Sequence, residues 1–230
     1  MQSSSNPIPF SQVQQKITTA KSILILLPEL LSYDTVASGL ALYLTLKDQF
    51  AQEQDAGSKQ IHIVSSGDIT VAYQRLYGVG SISKQIGSKN LVITLNTAYD
   101  NIEKVSSDND QGKFNLMVEL KSGLEKITDK DVAFSYRGID ADLIIGIGIA
   151  NSQQVGELLN QEPTLFADRE SIVFTVNGQE PILGSVKVYD PQSSSVAELL
   201  VKYLRFTKTR INPDIATNLI VGIEMASNNF

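Results

Sequence analysis

The chain has 230 residues, of which 42% are apolar and 19% charged, and its 19 Lys and Arg against 25 Asp and Glu leave a net charge of −6. It has no Cys, no Trp and a single His, His62. That census excludes disulfides, thiolate nucleophiles, zinc fingers, iron–sulfur clusters and any multi-histidine metal site within one chain; a Ser-His-Asp triad has only His62 to draw on. The acidic balance gives no global attraction to nucleic acid or to an anionic membrane. No apolar run approaches the ~20 residues of a membrane span, and Met1–Pro9 lacks the basic and apolar regions of a signal peptide. A soluble, cytoplasmic protein with no membrane partner is expected.

In chain order, residues 1–21 read as an extension ending in a short surface helix, with Val13, Ile17 and Ala20 at helical spacing. Ile23–Leu27 is a continuous apolar run, suited to a strand buried on both faces of a parallel sheet. Asp34 or Thr35 is placed to cap the helix that follows, and Ala37-Ser38-Gly39 is small enough for close helix–sheet packing. Ile61–Val64 reads as a second strand and 69–77 as another helix. The middle of the chain changes pattern. Leu91–Leu95, Ile102–Val105, Phe114–Leu120 and Val132–Tyr136 read as strands, and the alternation in Asn115–Lys121 fits antiparallel pairing with one wet face. Residues of about 97–139 are therefore expected to form a small β insertion. The α/β pattern resumes with a strand at Asp142–Ile147, a helix at Ser152–Leu159, a strand at Ile172–Val176 and a helix at Ser193–Phe206. The last helix is capped by Asn212, with Pro213 at its first position. Strands alternating with helices predict a doubly wound, mostly parallel sheet in one α/β domain over 22–230. Ligands of such sheets sit beyond the strand C-terminal ends, which points to 28–38, 148–152, 177–184 and 224–230.

Those loops resemble the motifs of the DHH-type phosphoesterases, the group of oligoribonucleases, adenosine bisphosphate phosphatases and cyclic-dinucleotide hydrolases. The family's first motif, His-x-x-Pro-Asp-x-Asp-Ala-x-Gly-Ser before an apolar helix, aligns with Ser38-Gly-Leu-Ala-Leu-Tyr-Leu-Thr-Leu-Lys47 as the helix. The second, a strand ending in Asp, aligns with Ala141–Asn151. The third, a strand followed by Asp-His-His and a later Gly, aligns with Ile172–Val176 and with Gly184–Asp190. The fourth aligns with Gly222–Phe230. The resemblance implies an α/β domain holding a pair of manganese ions, one activating water and both neutralising the in-line transition state. It also implies a C-terminal substrate-gripping domain, expected either to be lacking from the protein or to follow beyond Phe230.

At the positions where the family holds its metals, this sequence departs from it. The first motif has Pro28 for His, Leu31 for Pro, Ser32 for the first Asp and Asp34 for the second. Gly148 stands at the second motif's Asp, Asn177 begins a third-motif loop with no His, and Ala226 stands at the fourth motif's Asp. One carboxylate cannot hold a binuclear centre. The expectation is thus a degenerate relative that has lost its manganese pair, is not an enzyme, and is kept for binding or assembly. Its partner would be another protein, a second copy, or a nucleotide or RNA. Leu30 and Leu31, apolar where the family's loop is polar, either fill the emptied site or mark a contact surface. Gly146 and Gly148 are open to close approach by a phosphate or another backbone, or record the loss of an unneeded side chain. Two alternatives are carried. One is a phosphoesterase on short oligonucleotides with a centre rebuilt from Glu29, Asp34 and Glu224; Asp190 and Glu198 are further acids near the cleft. The other is a nucleic-acid-binding module using Lys202, Arg205, Lys208 and Arg210, which also read as a solvated face. His62 lies outside every motif, and Ser32 and Ser38 have no base beside them in the sequence.

Overall fold

A computed structural model describes residues 8–52, 59–86, 90–137, 141–176 and 186–227. The chain forms two compact units, Met1–Ile86 with Ile139–Phe230, and Gly87–Gly138. In chain order the first unit runs α1 (Phe10–Thr19), β1 (Ser22–Leu26), α2 (Tyr33–Ala51), β2 (Gln60–Val64) and β3 (Ile82–Ser83). The second unit contributes β4 (Asn90–Leu95), β5 (Ile102–Asp110), β6 (Lys113–Leu120) and β7 (Val132–Arg137). The first unit then resumes with β8 (Leu143–Ile147), α3 (Glu157–Gln161), α4 (Pro163–Asp168), β9 (Glu170–Thr175), β10 (Val186–Tyr189), α5 (Val196–Phe206) and α6 (Pro213–Ala226).

The expected α/β fold with an antiparallel insertion is the one observed. Six parallel strands lie in the order β10-β9-β8-β1-β2-β3. From β1 the chain winds outward through β2 and β3, then returns to the other side of β1 as β8. The order therefore reverses between β1 and β8, and the loops leaving their carboxyl ends face each other there. Side chains of β1 alternate between two cores. Ile23, Ile25 and Leu27 join the larger one under α1, α2, α5 and α6, whereas Leu24 and Leu26 join the smaller one with Ile144, Ile149, Val155 and Leu158. Helix α2 lies close on the sheet because Gly39 has no side chain: a Cβ there would stand 2.4 Å from Leu27 Cδ2. Helix α1 buries Phe10, Val13 and Ile17 in the larger core, with Phe10 and Phe174 both packed on Tyr203.

Several local expectations change. Helix α2 is capped by Ser32, not by Asp34 or Thr35: Ser32 Oγ accepts from Thr35 N and the Thr35 hydroxyl accepts from Ser32 N, a reciprocal box that frees Asp34 for another task. The helix expected at 69–77 is a single 3₁₀ turn, Val71–Arg75. The one expected at Ser152–Leu159 is broken at Gly156 (φ 65°) into a 3₁₀ turn and α3. Strands β3 and β10, too short to carry a period, had no counterpart in the sequence reading. Asn212 caps α6 as expected, accepting from Ile215 N at 2.9 Å.

The second unit consists of two antiparallel ladders, β4 with β7 and β5 with β6. It starts before residue 97 because β4 pairs with β7, a partner some forty residues away that local pattern cannot reveal. None of its described residues is fully buried.

Candidate functional site at the strand carboxyl ends

The loops after β1 and β8 and the first turns of α2 and α5 converge on Asp34. Its carboxylate accepts two backbone hydrogen bonds from α5, from Val196 N to Oδ2 at 2.8 Å and from Ala197 N to Oδ1 at 2.9 Å. The buried Ser38 hydroxyl donates to Oδ1 at 3.3 Å. The next amide of α5, Glu198 N, donates to Ser195 Oγ at 3.0 Å, so the opening amides of that helix are satisfied by side chains. Asp34 therefore caps the helix across from its own. A helix N-terminus is a natural anion site; here a carboxylate of the chain itself occupies it. Burial raises the Asp34 carboxyl above the ordinary aspartate value, and the hydrogen bonds from Val196, Ala197 and Ser38 pull against that rise.

The remaining motif positions surround this cap. Gly148 adopts φ +70°, and a Cβ there would stand 2.5 Å from Thr35 Cγ2 and 3.8 Å from Val196 Cγ2. The space that a side chain at the second motif's Asp position would enter is filled by a threonine methyl. Gly222 of α6 faces the same point: its ideal Cβ lies 2.8 Å from Ala197 Cβ and 3.7 Å from Asp34 Oδ1. Ala226, one turn on, is exposed, as is Ser32. Pro28 is buried, its carbonyl accepting from Ser65 Oγ at 2.9 Å. Asn177, Gly184 and the rest of the third-motif loop, with residues 228–230 of the fourth, lie outside the described residues.

The two leucines part company. Leu31 packs partly buried against the larger core, and its carbonyl accepts from Tyr73 Oη at 3.1 Å. Leu30 is 89% exposed. Gly146 lines a mostly apolar void of about 10 Å³ with Leu26, Ile144, Ile149, Phe166 and Ser171, no larger than a single water and far too small for a phosphate. Neither Gly146 nor Gly148 therefore opens a place for phosphate.

The rebuilt trio does not assemble. The Glu29 carboxylate lies over Gly156, whose ideal Cβ would stand 2.7 Å from Oε2 and equally close to Ser66 Oγ. Asp34 is held instead by α5 and Ser38. No cluster of three or more His, Cys, Asp or Glu that could hold a metal is found among the described residues. The donor set thus does not fit a manganese pair: the one carboxylate at a motif position already accepts three hydrogen bonds, and the Gly148 position is packed shut. Asp190 and Glu198 are bound to their own neighbourhood. Lys202 Nζ bridges Asp190 Oδ2 at 2.7 Å and Glu198 Oε1 at 3.1 Å, which lowers the Asp190 carboxyl, while Glu198 is lowered chiefly by the Ser194 amide. That pairing also removes Lys202 from the basic group, leaving Arg205, Lys208 and Arg210 exposed. His62 sits within β2 opposite Leu24, half-buried, where desolvation holds its imidazole below the ordinary value.

No protein-family profile matches the sequence, and no curated protein matches it. Among solved structures, an exopolyphosphatase-related protein from Bacteroides fragilis superposes on 96% of this chain with a TM-score of 0.61 at 13% identity. The chain spans 50% of that protein's length. At such identity the likeness is one of fold. Among the described residues no helix is long and apolar enough to cross a membrane.

Proposed function

We propose that this chain is a phosphoesterase-like scaffold of the DHH type whose metal centre has been replaced by internal packing, and that it is retained for binding or assembly. The observation that carries the reading is the commitment of Asp34. Its carboxylate accepts from Val196 N, Ala197 N and Ser38 Oγ, which fills three of its roughly four lone-pair sites and leaves too few for a ligand that bridges two ions. Supporting it are the Thr35 methyl over Gly148 and a fold shared with an exopolyphosphatase-related protein.

The experiment is a manganese titration by calorimetry, joined to hydrolysis assays on short RNA, adenosine bisphosphate and inorganic polyphosphate with manganese present. Neither stoichiometric manganese binding nor turnover is expected. Two manganese ions per chain, with turnover that Asp34→Asn abolishes, would overturn the reading in favour of a rebuilt hydrolase. Nucleotide or RNA binding without turnover would identify the retained ligand within the same reading.

A further inference from the structure

The β5–β6 hairpin turns on Gln111 and Gly112, both at positive φ (49° and 80°), the two-residue type I′ geometry that matches strand twist. In such a hairpin the closing pair, Asp110 with Lys113, exchanges its hydrogen bonds inward. The N–H and C=O groups of Phe114, Leu116 and Val118 then point away from β5. Their side chains share one face with Val105, and that face is apolar yet open: Phe114 is 76% exposed, Val105 55% and Leu116 47%.

The two edges of this ladder are unequal. The β5 strand carries Asp108 and Asp110 and an irregularity between Ile102 and Lys104, features that discourage strand addition. The β6 strand, Lys113-Phe-Asn-Leu-Met-Val-Glu-Leu120, has neither a proline nor a bulge. No strand pairs with its outer edge among the described residues. A two-stranded ladder is marginal alone, and a third or fourth strand makes it stable.

We propose that this edge is a homodimerisation site, with β6 pairing antiparallel to β6 of a second copy about a two-fold axis at Leu116. The occupant is identified by self-complementarity. In that register Leu116 meets its own copy, Phe114 meets Val118, Asn115 meets Met117, and Lys113 meets Glu119. The outward-pointing groups of Phe114, Leu116 and Val118 face one another, as an antiparallel ladder requires. Within each chain Lys113 already pairs with Asp110 and Glu119 with Lys104. The dimer therefore lines up two four-strand rows, each reading Asp110, Lys113, Glu119 and Lys104 with signs alternating at every step. Cross-strand pairs of opposite charge stabilise a sheet and like pairs oppose it. A symmetric contact of this kind closes on itself and leaves no further β6 edge to propagate.

This inference concerns the insertion and does not depend on whether the Asp34 region hydrolyses anything; mass reads the one and turnover the other. The test is sedimentation velocity and light scattering on the full chain. A dimer is expected, and Leu116→Pro, which removes the amide on the axis, is expected to yield a monomer that keeps the helical far-ultraviolet signal of the first unit. Lys113→Glu alone and Glu119→Lys alone each place two like-charge pairs across the axis and weaken the dimer at least tenfold. Mixing those two variants restores both opposite pairs, so native mass spectrometry of the mixture should show the heterodimer in excess of either homodimer. A chain that stays monomeric up to its solubility limit overturns the proposal. So does a dimer that survives Leu116→Pro, or a mixture with no preference for the heterodimer.

Discussion

Strand β1 is a nearly continuous apolar run and strand β6 alternates apolar with polar residues, and the chain treats them in opposite ways. Every side chain of β1 is buried, shared between the cores on the two faces of the parallel sheet. Every residue of β6 is at least partly exposed, in a ladder with one neighbour. The difference lies in cover as well as in composition. Crossover helices bury a parallel sheet on both faces, whereas an antiparallel hairpin needs only a turn and acquires no cover from its own connections. The helices that cover β1 (α2, α5 and α6) also meet around Asp34, so close packing in the first unit and the closed candidate site have one cause.

The sharpest way to break this comparison is to cut one large side chain from each unit. Phe174→Ala removes a fully buried ring that packs on Tyr203 and is expected to cost about 3–5 kcal/mol. Phe134→Ala, at a ring 66% exposed on β7, is expected to stay within about 0.5 kcal/mol. Urea denaturation of the two variants beside the parent checks both. Equal losses would mean that the insertion has a core of its own.

Introducing a side chain at Gly148 probes the packed centre directly. Gly148→Ala meets the Thr35 methyl and places a Cβ at φ +70°; overpacking of about 1–3 kcal/mol and a left-handed cost of about 1–2 kcal/mol give an expected loss of about 2–5 kcal/mol. Thr35→Ser keeps the hydroxyl that closes the box with Ser32 and removes the methyl. In the double variant the steric part should return while the backbone part remains, so a double-mutant cycle by thermal unfolding should show clear coupling. Additive losses would show that the methyl does not fill the site.

Asp34→Ala tests the cap itself. It strands the amides of Val196 and Ala197, at about 1–3 kcal/mol for each unpaired donor, and a total loss of about 2–6 kcal/mol is expected. Manganese binding should be the same in parent and variant. A variant that matches the parent in stability but changes its metal affinity would mark Asp34 as a ligand rather than a cap.

How far these features could be read in advance depends on the range of the interaction that makes them. The apolar run at Ile23–Leu27, the Asn212-Pro213 start of α6 and the alternation of β6 each rest on neighbours within a few residues, and each is visible in the sequence. The Ser32–Thr35 box was equally local, a Ser three residues before a Thr, but it was overshadowed by the acid at Asp34. The departures from the resembled metal-ligand pattern are legible only by alignment, residue by residue. What surrounds those positions is not legible, because Asp34 reaches α5 across 162 positions and Gly148 is closed by a residue more than a hundred positions earlier. Contacts of that kind follow from the winding of the sheet and leave no period or motif behind. The self-complementary register of β6 is a different case: it is written in seven consecutive residues, but it has meaning only once β5 is known to occupy one edge.

The smallest expected effect concerns charge, where the same contrast between buried and exposed groups changes sign with pH. Asp34, raised by burial, binds its proton more tightly in the folded chain, so its own contribution weakens as pH rises from the ordinary aspartate range to its folded value and is constant above that. Asp190 and Glu198 are lowered, so they contribute stability above the ordinary carboxylate range and lose it as pH falls through their folded values. The largest cause for Asp190 is its hydrogen bond from Lys202, whereas Glu198 is held mainly by the Ser194 amide. Lys202→Met should therefore flatten the acid limb of the stability curve without abolishing it, since the amide on Glu198 remains. Urea midpoints at a series of pH values below neutrality, compared between parent and variant, check this. The two curves should diverge near neutral pH and converge on acidification, and parallel curves would show that Lys202 contributes nothing specific to either carboxylate.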